Sequence, residues 1–187
     1  MGFQLLASRL LSPHFGSSLI VWALLISTFL AAFSLGSLLG GGISNLTPAG
    51  RARARLIAAG IGVVSLAFTA VAGRLFLARV EVAFAGINAG LFVACLALFF
   101  APVTVLSSFG PQCVQHLAAR GATPGAASGI VYGVSTAGNI AGVMLTAFVL
   151  IPHFRVSTLL YLWLAVAVAG MGGLLAMLRE TPEARRT

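Results

Sequence analysis

The chain has 187 residues, of which 59% are hydrophobic and 7% charged, with a mean hydropathy of +1.07. Soluble domains carry roughly 25% charged residues, so water is excluded as the main solvent around this polypeptide. The formal charge of +8 comes from arginines set between long apolar stretches instead of gathered on one basic face, which argues against nucleic-acid binding and for the edges of a lipid bilayer.

Residues 1–15 open the chain with Phe3, Leu5, Leu6, Leu10 and Leu11, interrupted by Gln4, Ser8 and Arg9 and closed by Pro13. No basic start, continuous apolar core and cleavage site follow one another as in a signal peptide. Two readings stay open: an interfacial amphipathic helix, or a partial transmembrane helix whose first half lies upstream.

Crossing a hydrocarbon core of roughly 30 Å takes about 20 apolar residues, and five segments qualify. They cover about 16–43, 56–73, 89–116, 126–151 and 158–178, making up a transmembrane bundle over 16–178, with 179–187 as a tail. The third is the least defined. Residues 82–118 lack charge and contain Pro102 and Pro111, so one kinked helix and two short ones are both admissible.

A single crossing there puts Arg51, Arg53, Arg55, Arg120, Arg179, Arg185 and Arg186 on one side, and Arg9, Arg74, Arg79 and Arg155 on the other. The arginine-rich side is then cytoplasmic. The expectation is a multi-pass protein of the cell (inner) membrane with its N-terminus outside and its C-terminus in the cytoplasm. Trp22, Tyr161 and Trp163, near the outer ends of the first and fifth spans, fit an aromatic anchor at headgroup level.

Small residues mark where helices in lipid approach closely. Gly36 and Gly40 form a GxxxG pair in the first span. Gly125, Gly129 and Gly133 recur every four residues in the fourth, with Gly138 and Gly142 one position round; this pattern predicts a fourth helix enclosed by neighbours. Ala165, Ala169 and Gly173 repeat the spacing in the fifth. All read first as packing positions.

Polar groups at membrane depth must find partners or line a cavity. Tyr132, Ser135, Thr136 and Asn139 in the fourth span are the candidate cavity residues, Ser135 and Asn139 sharing a face. Gln112, Gln115 and His116 cluster near the cytoplasmic end of the third span, where an interfacial role competes with a binding one. Cys95 and Cys113 lack the spacing of a metal site and read as small buried residues. No span contains an acidic residue, and neither a nucleotide loop nor a catalytic triad is recognisable. The chain is therefore expected to be non-enzymatic, without metal or cofactor.

The run Ser8-Arg9-Leu10-Leu11-Ser12-Pro13-His14-Phe15-Gly16-Ser17-Ser18, followed by Val21-Trp22, Leu35-Gly36 and Leu39-Gly40-Gly41, resembles the membrane region of spermidine synthase-like proteins. The block from Gly129 to Gly142, continued by Phe148-Val149-Leu150-Ile151-Pro152, resembles a later helix of the same region. That family is often described as fusing a major-facilitator-like membrane domain to an aminopropyltransferase domain. The resemblance implies an all-α bundle like a six-helix major-facilitator-type half, placed before a cytoplasmic catalytic domain.

Two departures accompany it: Gln4 stands where the family often has Glu, and no aminopropyltransferase domain follows within these 187 residues. Three roles are consistent with these features. The chain is a non-catalytic anchor for a separately encoded spermidine synthase-like domain, a half-size transporter of a small solute working as a homo-oligomer, or a subunit of a larger membrane complex.

Overall fold

The computed structural model describes residues 1–84 and 86–179, the last by its backbone alone. Within them the chain forms six successive helices: α1 (Gly2–Phe15), α2 (Leu19–Ser44), α3 (Pro48–Ala83), α4 (Ile87–Ala119), α5 (Pro124–His153) and α6 (Val156–Arg179). No strand occurs among the described residues. Helices α2 to α6 are each long and apolar enough to cross a membrane, so the molecule is an all-α helical bundle.

Local chemistry explains where several helices begin. Ser18, Thr47 and Thr123 each accept a hydrogen bond from the backbone amide three residues on, at Val21, Gly50 and Ala126. Such caps satisfy amide donors that have no carbonyl partner one turn back. Pro48 and Pro124 stand in the first turn of α3 and α5, where a missing N–H costs nothing and the fixed φ suits a helix. Their next consequence is topological, because the chain reverses at each of these turns.

The third span is one helix. Residues 82–118 do not break into two spans; the chain passes from Ile87–Cys95 through a π-helical stretch at Leu96–Phe100 into Ala101–Ala119. Pro102 lies just beyond that stretch and cannot donate to the carbonyl of Leu98, four residues back. The buried hydroxyl of Thr69 on α3 donates to that carbonyl at 2.7 Å. The irregular turn is thus paired from a neighbouring helix, which is how such turns are tolerated in lipid.

Helix α4 is the central element: half of its most apolar window is buried, against 6% for α5. Helix α2 lies directly on α4, and its close approach is set by Gly36 and Gly40. A Cβ at Gly40 would lie 2.8 Å from the carbonyl carbon of Ser108, and one at Gly36 3.0 Å from that of Thr104. The backbones are therefore in contact, which only glycine permits.

Helix α1 is seated among the spans. Phe3, Leu6, Ala7, Leu10 and Leu11 are buried, a spacing of three and four residues that lines one helix face. The Phe3 ring meets Phe29 of α2 at 6.0 Å, Phe99 of α4 at 5.8 Å and Trp163 of α6 at 5.9 Å. One aromatic cluster thereby ties four helices together. At the other end of α1, His14 and Glu81 of α3 are 2.6 Å apart.

Candidate functional site

The polar residues of the fourth span do not converge on an interior cavity. Tyr132 is 60% exposed, and Ser135, Thr136 and Asn139 are exposed beside it, all on the outside of the bundle. The expected enclosure of this helix by neighbours is not provided by the chain itself. Only Ala127 and Thr146 of α5 are buried, and a Cβ at Gly125, Gly129, Gly133, Gly138 or Gly142 would meet nothing within 4 Å. The reason is that small residues specify how closely a neighbour can approach, not which chain supplies it.

The fifth span repeats this. Ala165 and Ala169 are exposed and a Cβ at Gly173 would meet nothing within 4 Å, because α6 turns Leu160, Ala167, Met171 and Leu178 inward instead. Trp163 also turns inward, onto Phe3, while Tyr161 is exposed and Trp22 is half-buried. The small-residue ridges of α5 and α6 are outer faces.

Asn139 stands near the middle of α5, and there the amino terminus reaches it. The Met1 ammonium donates to its side-chain oxygen at 3.4 Å. One turn further, α1 abuts α5 closely: a Cβ at Gly2 would lie 2.8 Å from the Thr146 hydroxyl and 3.0 Å from the Gly142 carbonyl oxygen. The outward polar face of α5 is thus continuous with the start of α1.

The second constellation occupies the arginine-rich end, where α2, α4 and α6 finish. Helix C-termini leave carbonyls without intrahelical partners, and long side chains from neighbouring helices supply donors. Gln115 of α4 donates to the Ser44 carbonyl of α2 at 3.0 Å. Arg55 of α3 donates through a terminal nitrogen to the Leu178 carbonyl of α6 at 3.0 Å, and through Nε to the Gln112 side-chain oxygen at 2.7 Å. Gln112, 1% exposed, completes the chain by donating to the Ser108 carbonyl at 2.9 Å.

Gln112 and Gln115 are therefore built into interhelical contacts, and His116 is buried beside them. The inward turn of Arg55 was not singled out in sequence. The signal for it is weak but physical: Arg51 and Arg55 are four residues apart and share a helix face, whereas Arg53 is exposed on another.

Beside Arg55 lies a cleft of about 200 Å³ between α3 and α6, lined by Pro48, Arg51, Ala52, Arg55, Leu56, Leu175 and Leu178. Cys95 and Cys113 are free thiols, and among the described residues no three His, Cys, Asp or Glu side chains gather as a metal site requires. Comparison with known proteins found no matching family model, no matching curated protein and no matching solved structure. Five helices long and apolar enough to cross a membrane are compatible with an integral membrane module.

Proposed function

We propose that the chain is a non-catalytic membrane module that works by self-association, with the outward face of α5 as the contact between two copies. The observation that carries this is the exposure of Tyr132, Ser135, Thr136 and Asn139, together with five glycines, on a helix long enough to span a membrane. Polar groups facing hydrocarbon are costly and seek partners. Two copies inserted the same way round place identical residues at identical depth, so Asn139 faces Asn139 across a two-fold axis.

A carboxamide both donates and accepts, which makes that contact self-complementary. The same glycines supply the small surface that close approach demands from both partners. Cysteine cross-linking in native membranes tests the arrangement, in a background with Cys95 and Cys113 replaced by Ser. A Ser135→Cys variant should form a disulfide-linked dimer on mild oxidation, while Val64→Cys, on the outward side of α3, should not. Equal cross-linking at both positions, or none at Ser135, would overturn the proposal.

The resemblance to the membrane region of spermidine synthase-like proteins supports a second, compatible reading: the dimer anchors a separately encoded aminopropyltransferase-like domain at its arginine-rich end. Co-purification of such a domain with the tagged chain would bear this out, and independent migration of the two would end it. Transport of a small solute along the α5–α5 seam is the third reading, in which Ser135 and Asn139 line the path. Unchanged flux in vesicles carrying the Ser135→Ala and Asn139→Ala double variant would remove those residues from any such route.

A further inference from the structure

We propose that the half of α5 nearer the arginine-rich end, residues 124–141, is a hinged arm that changes its angle to the bundle in a lone chain and is held still when a second copy covers it. The first part concerns the lone chain alone, and the second rests on the self-association proposed above. The arm carries Tyr132, Ser135, Thr136 and Asn139, so its angle sets where that contact face points.

The two halves of α5 are held very differently. Every residue from 132 to 141 is exposed, a rise of roughly 15 Å and almost three turns, so every side of the helix is bare there. Toward the arginine-rich end the buried side chain is Ala127, a single methyl group. Toward the other end α5 is clasped by α1. Thr146 is buried, and a Cβ placed at Gly2 would crowd both its hydroxyl and the Gly142 carbonyl oxygen. Few tertiary contacts mean low local stability, so the bare half can tilt where the clasped half cannot.

Both ends of the arm have a soft joint. Gly138 stands one turn before the clasp at Gly142, and a Cβ there would meet nothing within 4 Å. Gly129 and Gly133 soften the arm itself, because glycine favours a helix less than any residue but proline. At its far end the arm joins α4 through an exposed turn containing Gly121, whose φ of 100° is open to glycine and strained for other residues. Hinges of this kind are a few residues at the ends of elements that take up the change in backbone angle.

Spin labels read the arm's positions by double electron-electron resonance, in lipid nanodiscs holding one full chain each and with Cys95 and Cys113 replaced by Ser. One label sits on α3 at Val64→Cys, the other on α5 at Val134→Cys in the arm or at Phe148→Cys beyond the clasp. All three side chains are exposed, so labelling disturbs no core packing. The distance distribution from Val64 to Val134 should be at least about twice as wide as that from Val64 to Phe148, as for a segment of lower local stability. Equal widths would overturn the arm. Gly133→Ala combined with Gly138→Ala adds methyl groups that meet no neighbour and should narrow the Val134 distribution by stiffening the helix. An unchanged width would overturn the hinge at Gly138.

Discs holding two copies test the second part, with one labelled chain diluted among unlabelled ones. The wide distribution should shrink by about half as the second copy selects one arm position. A width unchanged by the second copy, where parallel discs carrying Ser135→Cys show the cross-link, would overturn restraint by the partner and leave self-association intact. Absence of that cross-link with a wide distribution in single-copy discs would instead overturn self-association and leave the hinged arm standing.

Discussion

The hydroxyl of Thr69 illustrates how one side chain can decide whether an irregular helix survives in lipid. Pro102 deprives the Leu98 carbonyl of its backbone donor, and Thr69, 1% exposed, supplies one from α3. Thr69→Val keeps the shape and removes the donor, leaving a buried carbonyl unpaired. It should destabilise the fold by about 1 kcal/mol, within the range for interhelical hydrogen bonds in membranes, as measured by reversible unfolding in mixed detergent. Thr104→Val is the matched control. Its hydroxyl donates to the Phe100 carbonyl of its own helix at 2.7 Å, an optional second bond, so its cost should be less than half that of Thr69→Val. Equal costs would mean that the π-helical stretch does not depend on Thr69.

At the scale of the helix, glycines of the same spacing divide into two kinds. Gly40 touches the backbone of α4, whereas Gly133 touches nothing. Gly40→Ala should force α2 and α4 apart and cost about 1–3 kcal/mol, the usual penalty for overpacking. Gly133→Leu should leave the unfolding of the isolated chain within about 0.5 kcal/mol of wild type, as for surface substitutions. The same substitution should abolish cross-linking through Ser135→Cys by filling the seam between two copies. Loss of the isolated fold in Gly133→Leu would show that α5 is held internally.

This division also measures what the sequence could disclose. The apolar runs located five spans, and the third is one continuous helix because Thr69 and the π-helical stretch absorb Pro102, a compensation that lies outside the local pattern. The GxxxG pair at Gly36 and Gly40 was legible as a close-packing surface, but its partner Thr104–Ser108 was not. The ridge on α5 has the same signature without a partner in this chain. Periodicity reports the size of side chains on a face, and only the fold reports what lies opposite. Arg55 was hidden for a similar reason. Its partners Gln112 and Leu178 are 57 and 123 residues away in sequence, and an arginine beside two others reads as a solvated charge until the end of α6 is placed against it.

For the whole molecule, the five spans fix which connections share a side. The turns at 45–47 and 120–123 and the end of α6 lie at one end of the bundle, and those at 16–18 and 154–155 and the break between α3 and α4 lie at the other. Among the described residues Arg51, Arg53, Arg55, Arg120 and Arg179 belong to the first end and Arg9, Arg74, Arg79 and Arg155 to the second, and lysine or arginine excess in short connections marks the cytoplasmic side. That inequality is modest, but the end with more arginines is also the end where Arg55 closes a helix terminus. Single cysteines introduced into a variant lacking Cys95 and Cys113 test the orientation. Ser17→Cys should react with a membrane-impermeant maleimide in intact cells, whereas Thr123→Cys should react only after the membrane is opened. The reverse pattern would put the arginine-rich end on the outer surface and overturn this orientation.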